Sequence, residues 1–177
     1  HVVVADTAFY NQGQDVDVII TDDPVSKDME EWKDPDTGAS RFVEYDWFNS
    51  TLESHILSKL NNFMSSTYRG SQRAGLGLSS NYKYRSNSDN PYYHGTHVAS
   101  TACGQWYGYA RKANIYSINV LRPDEADDAE TYGYIPSSYF ADFILAFHET
   151  KPVNPRTGKR NPTIVNASWG STYTNTM

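Results

Sequence analysis

One cysteine, Cys103, stands in the 177 residues, so no internal disulfide framework holds the chain together. No apolar run approaches the roughly 20 residues that a membrane-spanning helix needs. Basic residues are in deficit, 15 Lys and Arg against 21 Asp and Glu, and the net charge of -6 argues against a nucleic-acid footprint. There is no initiator Met and no charged-then-apolar leader, and the opening His1-Val2-Val3-Val4 reads as cut from something longer or processed. Repeats and low-complexity linkers are missing too, which excludes solenoids and tails.

What remains is the composition of a folded domain, 38% hydrophobic and 20% charged. The fourteen tyrosines are the unusual feature. Many fall in expected loops (Tyr68, Tyr82, Tyr84, Tyr92, Tyr93, Tyr132, Tyr134). They read as ring faces packed on the domain or, alternatively, as an interaction surface.

Residues 16–21 are a β-branched run stopped by Asp22-Asp23-Pro24, a buried strand whose carboxyl end opens into a loop. Arg41 to Phe48, aromatic and β-branched, is a second strand candidate. Ser50 with Glu53 reads as a capping box for a helix to about residue 65, whose apolar residues Leu52, Ile56, Leu57, Leu60 and Phe63 recur at helical spacing. Residues 66–93 read as a long loop. His94 to Cys103 reads as a helix stopped by Gly104, residues 114–121 as a strand, and 124–130 as an acidic loop. Ser137 to Thr150 is a further helix, and Thr163 to Trp169 a last strand. Strand, helix, strand, helix, strand predicts an α/β domain with a largely parallel sheet, whose site lies beyond the carboxyl ends of its strands. Asp22 sits at one such end and Ser168 to Gly170 at another.

Three segments carry chemistry. His94-Gly95-Thr96-His97-Val98-Ala99 resembles the histidine motif of the subtilase family, the subtilisin-like serine proteases. Val16-Asp17-Val18-Ile19-Ile20-Thr21-Asp22 resembles that family's strand ending in the catalytic Asp, and Ile164-Val165-Asn166-Ala167-Ser168-Trp169-Gly170 its substrate-pairing strand. They follow the family's chain order of Asp, then His, then Ser. The resemblance implies a subtilisin-like α/β fold in which His94 is the general base and Asp22 orients it. Ser168, Trp169 and Gly170 would form the edge that binds a peptide or protein substrate. Such chemistry needs these residue types because a serine hydroxyl is a poor nucleophile until an imidazole takes its proton, and a buried carboxylate holds the imidazole in the right tautomer.

The chain departs from the family pattern in instructive places. Asp22 and His94 are 72 residues apart, against roughly 30 in subtilisin, which implies an insertion around residues 49–90. No Gly-Thr-Ser-x-Ala segment is present, and the family's serine lies roughly 150 residues beyond its histidine. The expectation is therefore that residues 1–177 are the N-terminal portion of one catalytic domain, with an incomplete sheet, whose serine and oxyanion donor lie beyond Met177. The missing C-terminal part of the domain would then be a partner. Asp23 and Pro24 replace the small residue and Gly that usually follow the Asp, and a second carboxylate there is expected to compete for His94 or perturb Asp22. Ser100 stands where Gly is usual.

The stretches from Gly38-Ala39-Ser40-Arg41 to Asp46-Trp47-Phe48, and from Phe147-His148 through Asn154-Pro155 to Trp169-Gly170, look most like subtilase-like proteins of marine bacteriophages, which implies a virion-associated or extracellular protein, with other virion proteins as partners. The rival reading is an inactive subtilase-fold structural module. No metal or cofactor is required. Calcium is common in the family, with Glu31 or the 34–38 turn as donors, and the His94-x-x-His97 pair leaves metal binding as a minor alternative. The acidic loop 124–130 would favour basic substrates. Cys103 reads as a small buried hydrophobe.

Overall fold

The computed structural model describes residues 11–59, 82–120, 132–135, 137 and 139–170. Its elements in chain order are β1 (Asp17–Asp22), a 3-10 turn (Glu30–Trp32), α1 (Ser50–Lys59), α2 (His94–Cys103), β2 (Asn114–Asn119), α3 (Phe140–Thr150) and β3 (Thr163–Asn166). The strands form one parallel sheet in the order β2-β1-β3. Asp17 is in register with Asn114 and Thr163, and Asp22 with Asn119. β1 is therefore central, and the two strands that follow it in sequence flank it on opposite sides. Such an arrangement opens a crevice at the carboxyl ends of the strands.

β1 is buried along its whole length, as a central parallel strand covered on both faces must be. Val18 and Ile20 pack with Ile115, Ala99, Cys103, Trp32 and Phe42 beneath α2. Ile19 packs on the other face with Ile118, Leu52, Ile56, Trp47, Phe143 and Phe147, against α1 and α3. A continuous apolar run is what these two faces demand, because alternate side chains of one strand serve both. Among the described residues β3 forms an edge, with Ile164 and Val165 exposed. An open groove of about 420 Å³ runs beside it, lined by Phe140, Ile144, Leu145, His148, Thr163 and Val165.

Several elements differ from the sequence reading, each for a local reason. Arg41 to Phe48 is not a strand. It makes one parallel bridge, Phe42 with Ile115, and then wraps around the edge of β2. Phe42 enters the core under α2 while Trp47 and Phe48 enter the other, so the aromatic pattern reports burial on two faces rather than a pleat. The Asn49 side chain caps α1 in place of the expected Ser50–Glu53 box, accepting the Leu52 N–H at 2.9 Å. α3 begins at Phe140 rather than 137, and β3 ends at Asn166 rather than 169. Residues 60–65 of the expected first helix, residues 66–81 of the expected loop and the acidic loop 124–130 lie outside the described residues.

The tyrosines divide. Tyr82 and Tyr134 are buried, and the Tyr84 hydroxyl is a hub that accepts from Trp47 Nε1 at 3.0 Å and donates to the Tyr45 carbonyl at 2.9 Å. Tyr93, Tyr107 and Tyr109 are exposed.

Two of the buried cations, Arg41 and Lys151, hold the scaffold. The Arg41 guanidinium donates to the carbonyls of Cys103 (2.7 Å) and Ala113 (2.9 Å), binding the end of α2 to the approach to β2. A cation at a helix C-terminus also complements the helix dipole. At the start of β1, Lys151 Nζ donates to Asp17 Oδ2 and to Thr163 Oγ1, both at 2.7 Å. Asp17 Oδ1 accepts from Asn114 Nδ2 at 2.7 Å and from Asn161 Nδ2 at 3.0 Å. Removing one partner of a buried pair leaves the other charge desolvated. Lys151→Ala is expected to destabilise the fold by about 3 kcal/mol, measured by urea unfolding. A loss below about 1 kcal/mol, the scale of an exposed pair, would contradict this account.

Candidate functional site

β1 delivers the first group of the site. Its last residue, Asp22, is fully buried at the carboxyl end of the central strand. α2 delivers the second, because His94 is its first residue. His94 Nδ1 lies 2.7 Å from Asp22 Oδ1, and the same oxygen accepts the Asp23 N–H at 2.8 Å. The His94 side chain is 57% exposed. A carboxylate acceptor on Nδ1 places the ring proton there, so in the neutral imidazole Nε2 carries the lone pair. Asp22 Oδ2 is buried without a hydrogen-bond partner among the described residues.

Electrostatics follow the geometry. The hydrogen bond to Asp22 raises the His94 pKa above the ordinary histidine value, the Asp22 charge adds to it, and Asp23 contributes less. Asp23 is itself shifted upward by burial, with the Asp22 charge adding to the shift and the Gly95 N–H opposing it. Contrary to the expected competition, the Asp23 side chain does not take the imidazole. Its Oδ1 accepts the Gly95 N–H. The first turn of α2 is further tied to the loop after β1 by the Ser26 N–H, which donates to Thr96 Oγ1 at 3.0 Å. Asn90 braces that loop, donating from Nδ2 to the Pro24 carbonyl at 2.8 Å and to Ser26 Oγ at 2.9 Å.

The third segment lies beside these groups. Beyond β3, Ser168 and Gly170 are exposed, and among the described residues a Cβ at Gly170 would meet nothing within 4 Å. Trp169 stacks edge-on against Phe140 at 5.6 Å, and its Nε1 reaches Thr21 Oγ1 at 3.4 Å. Thr21 Oγ1 in turn donates to the Asn166 carbonyl at 2.9 Å. Thr21, the residue before Asp22, thus links the 166–170 segment to the end of β1. The largely exposed His94 ring, the buried Asp22 carboxylate and the 167–170 segment share one rim of the sheet.

The subtilase family model matches residues 2–177. The chain belongs to the subtilase family. No curated protein and no solved structure matches it. The family assignment accounts for the subtilisin-like α/β fold, and it gives the domain a serine-protease-like architecture.

Other residues of this subtilase singled out in the sequence have plain partners. Ser100, where the family usually has Gly, donates to Glu31 Oε1 at 2.8 Å. Cys103 is fully buried, and burial pushes its thiol pKa up to about 11 against the opposing Arg41 charge. Asp34 Oδ1 accepts the N–H groups of Asp36 and Thr37 within its own turn, at 3.0 and 2.8 Å. Among the described residues no three His, Cys, Asp or Glu side chains come together to hold a metal ion. His97 is exposed on α2.

The sequence reading missed Asp23, Thr21, Ser26 and Asn90 as supports. Only the doubled Asp at a strand end signalled any of them, and that signal pointed to repulsion.

Because the folded-state pKa of His94 is raised, the Asp22 pair contributes stability that is fully present below the unfolded histidine value. That stability fades as pH rises through the folded value. Asp22→Asn is expected to bring the His94 pKa down in a proton NMR titration. An unchanged titration in that variant would mean that the hydrogen bond does not form in solution.

Proposed function

We propose that this chain supplies the Asp and His of a subtilisin-like serine endopeptidase, with the nucleophilic serine carried by chain beyond residue 177. The observation that carries the reading is the 2.7 Å bond between His94 Nδ1 and the fully buried Asp22, on a ring whose side chain is 57% exposed. In this mechanism Nε2 takes the proton of the serine hydroxyl as that oxygen attacks a peptide carbonyl, and later returns it to the leaving amine. Asp22 stays ionised, keeps the imidazole in the Nδ1–H tautomer and stabilises the imidazolium. In this reading residues 168–170, of which Ser168 and Gly170 are exposed, form the edge to which a peptide substrate adds by main-chain hydrogen bonds. Family membership supports the same reaction class.

The test is covalent labelling of the full-length protein with a serine-directed fluorophosphonate. Labelling is expected in the parent and is expected to vanish in His94→Ala. Asp22→Asn is expected to slow peptide hydrolysis by roughly 10⁴-fold, as loss of the orienting carboxylate does in such triads. A parent protein that takes no label would favour the inactive structural module instead.

A further inference from the structure

α2 starts without help from its own cap residue. Tyr93 makes no side-chain hydrogen bond to the helix, although the first-turn N–H groups form its electropositive end and need acceptors. The acceptor comes from 72 residues away: Asp23 Oδ1 takes the Gly95 N–H. Gly95 permits this approach because it lacks a side chain. A Cβ there would overlap the Asp23 carbonyl oxygen and lie 2.7 Å from Asp23 Oδ1. Consecutive carboxylates thus grip consecutive residues, Asp22 the ring of His94 and Asp23 the backbone of Gly95.

We infer that Asp23 is a positioning residue, which anchors the N-terminus of α2 to the end of β1 through the Gly95 N–H and so fixes the backbone that carries His94. The inference rests on the reading of His94 as general base. Holding a ring in place needs two constraints, one on the ring and one on its backbone, because a side chain can rotate about a mobile Cα while keeping a single hydrogen bond. Asp22 supplies the first and Asp23 the second. Asp23 is 8% exposed and receives the Gly95 N–H in its buried site, which favours its anionic form against the cost of burial. Its charge also reaches the imidazole. Among the described residues the charged groups facing His94 are Asp22 at the end of β1 and Asp23 in the loop that follows. Ser26 and Thr96 at the same turn are uncharged.

Cap and charge are separable by substitution. Asn keeps an oxygen for the Gly95 N–H and drops the charge, whereas Ala drops both. The experiment measures fluorophosphonate labelling rate against pH in the full-length protein, alongside the His94 NMR titration. Asp23→Ala is expected to label roughly 10- to 100-fold more slowly on the alkaline plateau, the scale of a misplaced catalytic group. Asp23→Asn is expected to recover most of that loss. In both variants the acid limb should move to lower pH, because the neutral imidazole is the active form and removing a nearby negative charge makes it harder to protonate.

Equal plateau losses in the Asn and Ala variants would overturn the anchoring role, as would an Asp23→Ala protein that labels at the parent rate. If Asp23→Ala does not fold, Asp23→Asn decides alone. A lowered acid limb with a smaller loss than Asp22→Asn supports the inference, and a loss as large as that of Asp22→Asn overturns it. Labelling that persists in His94→Ala sinks the general-base reading and the positioning role with it. Labelling that depends on His94 but is indifferent to Asp23 sinks the positioning role alone.

Discussion

The hydrogen bond between Asp22 and His94 joins two segments 72 residues apart, and the rest of the site depends on it. It requires a carboxylate at the end of a strand buried on both faces and an imidazole on the first turn of a helix packed over that strand. Neither element could shift by a residue without breaking it. In β1 a one-residue slip would turn Asp22 to the opposite face. In α2 it would rotate His94 by about 100° around the helix axis. The apolar packing of Val18 and Ile20 against Ala99 and Cys103 therefore does more than stabilise the sheet. It sets the register in which the polar pair meets.

The two ends of β1 show how similar chemistry takes different roles. Asp17 and Asp22 are both buried carboxylates on one strand. Asp17 meets Lys151, Asn114 and Asn161, so both of its oxygens are bonded and its cation is buried with it. That is a closed structural knot. Asp22 meets a titratable ring that is largely exposed, and its second oxygen has no partner among the described residues. An open, incompletely satisfied arrangement is unfavourable as scaffolding. It is what the proposed proton transfer needs, because in that mechanism the imidazole changes its charge in place and stays accessible to a reacting group.

The doubled carboxylate illustrates how local sequence can mislead. Side by side in the chain, Asp22 and Asp23 suggest repulsion and competition for one histidine. In space the strand ends between them and their side chains diverge, one to the imidazole and one to the amide of Gly95. The glycine of the histidine motif gains a physical reason at the same point, since any side chain there would collide with the Asp23 backbone. Ser100 likewise replaces a usual glycine without disruption, because Glu31 accepts its hydroxyl.

The parallel α/β layout, the central strand ending in Asp22 and the helix starting at His94 were legible in the sequence. Each rests on short-range regularities: an unbroken β-branched run, a helical segment bounded by glycine, and a six-residue motif. Hydrophobic periodicity is local and survives translation into structure. The Arg41–Phe48 segment was not legible, because its aromatic pattern serves two cores around the edge of β2 and looks like a pleat when read in one dimension. The support given by Asp23, Thr21, Ser26 and Asn90 was equally hidden. Those bonds join segments up to 148 residues apart, and which donor meets which acceptor is decided only when packing has brought the ends of separate strands and helices to one rim.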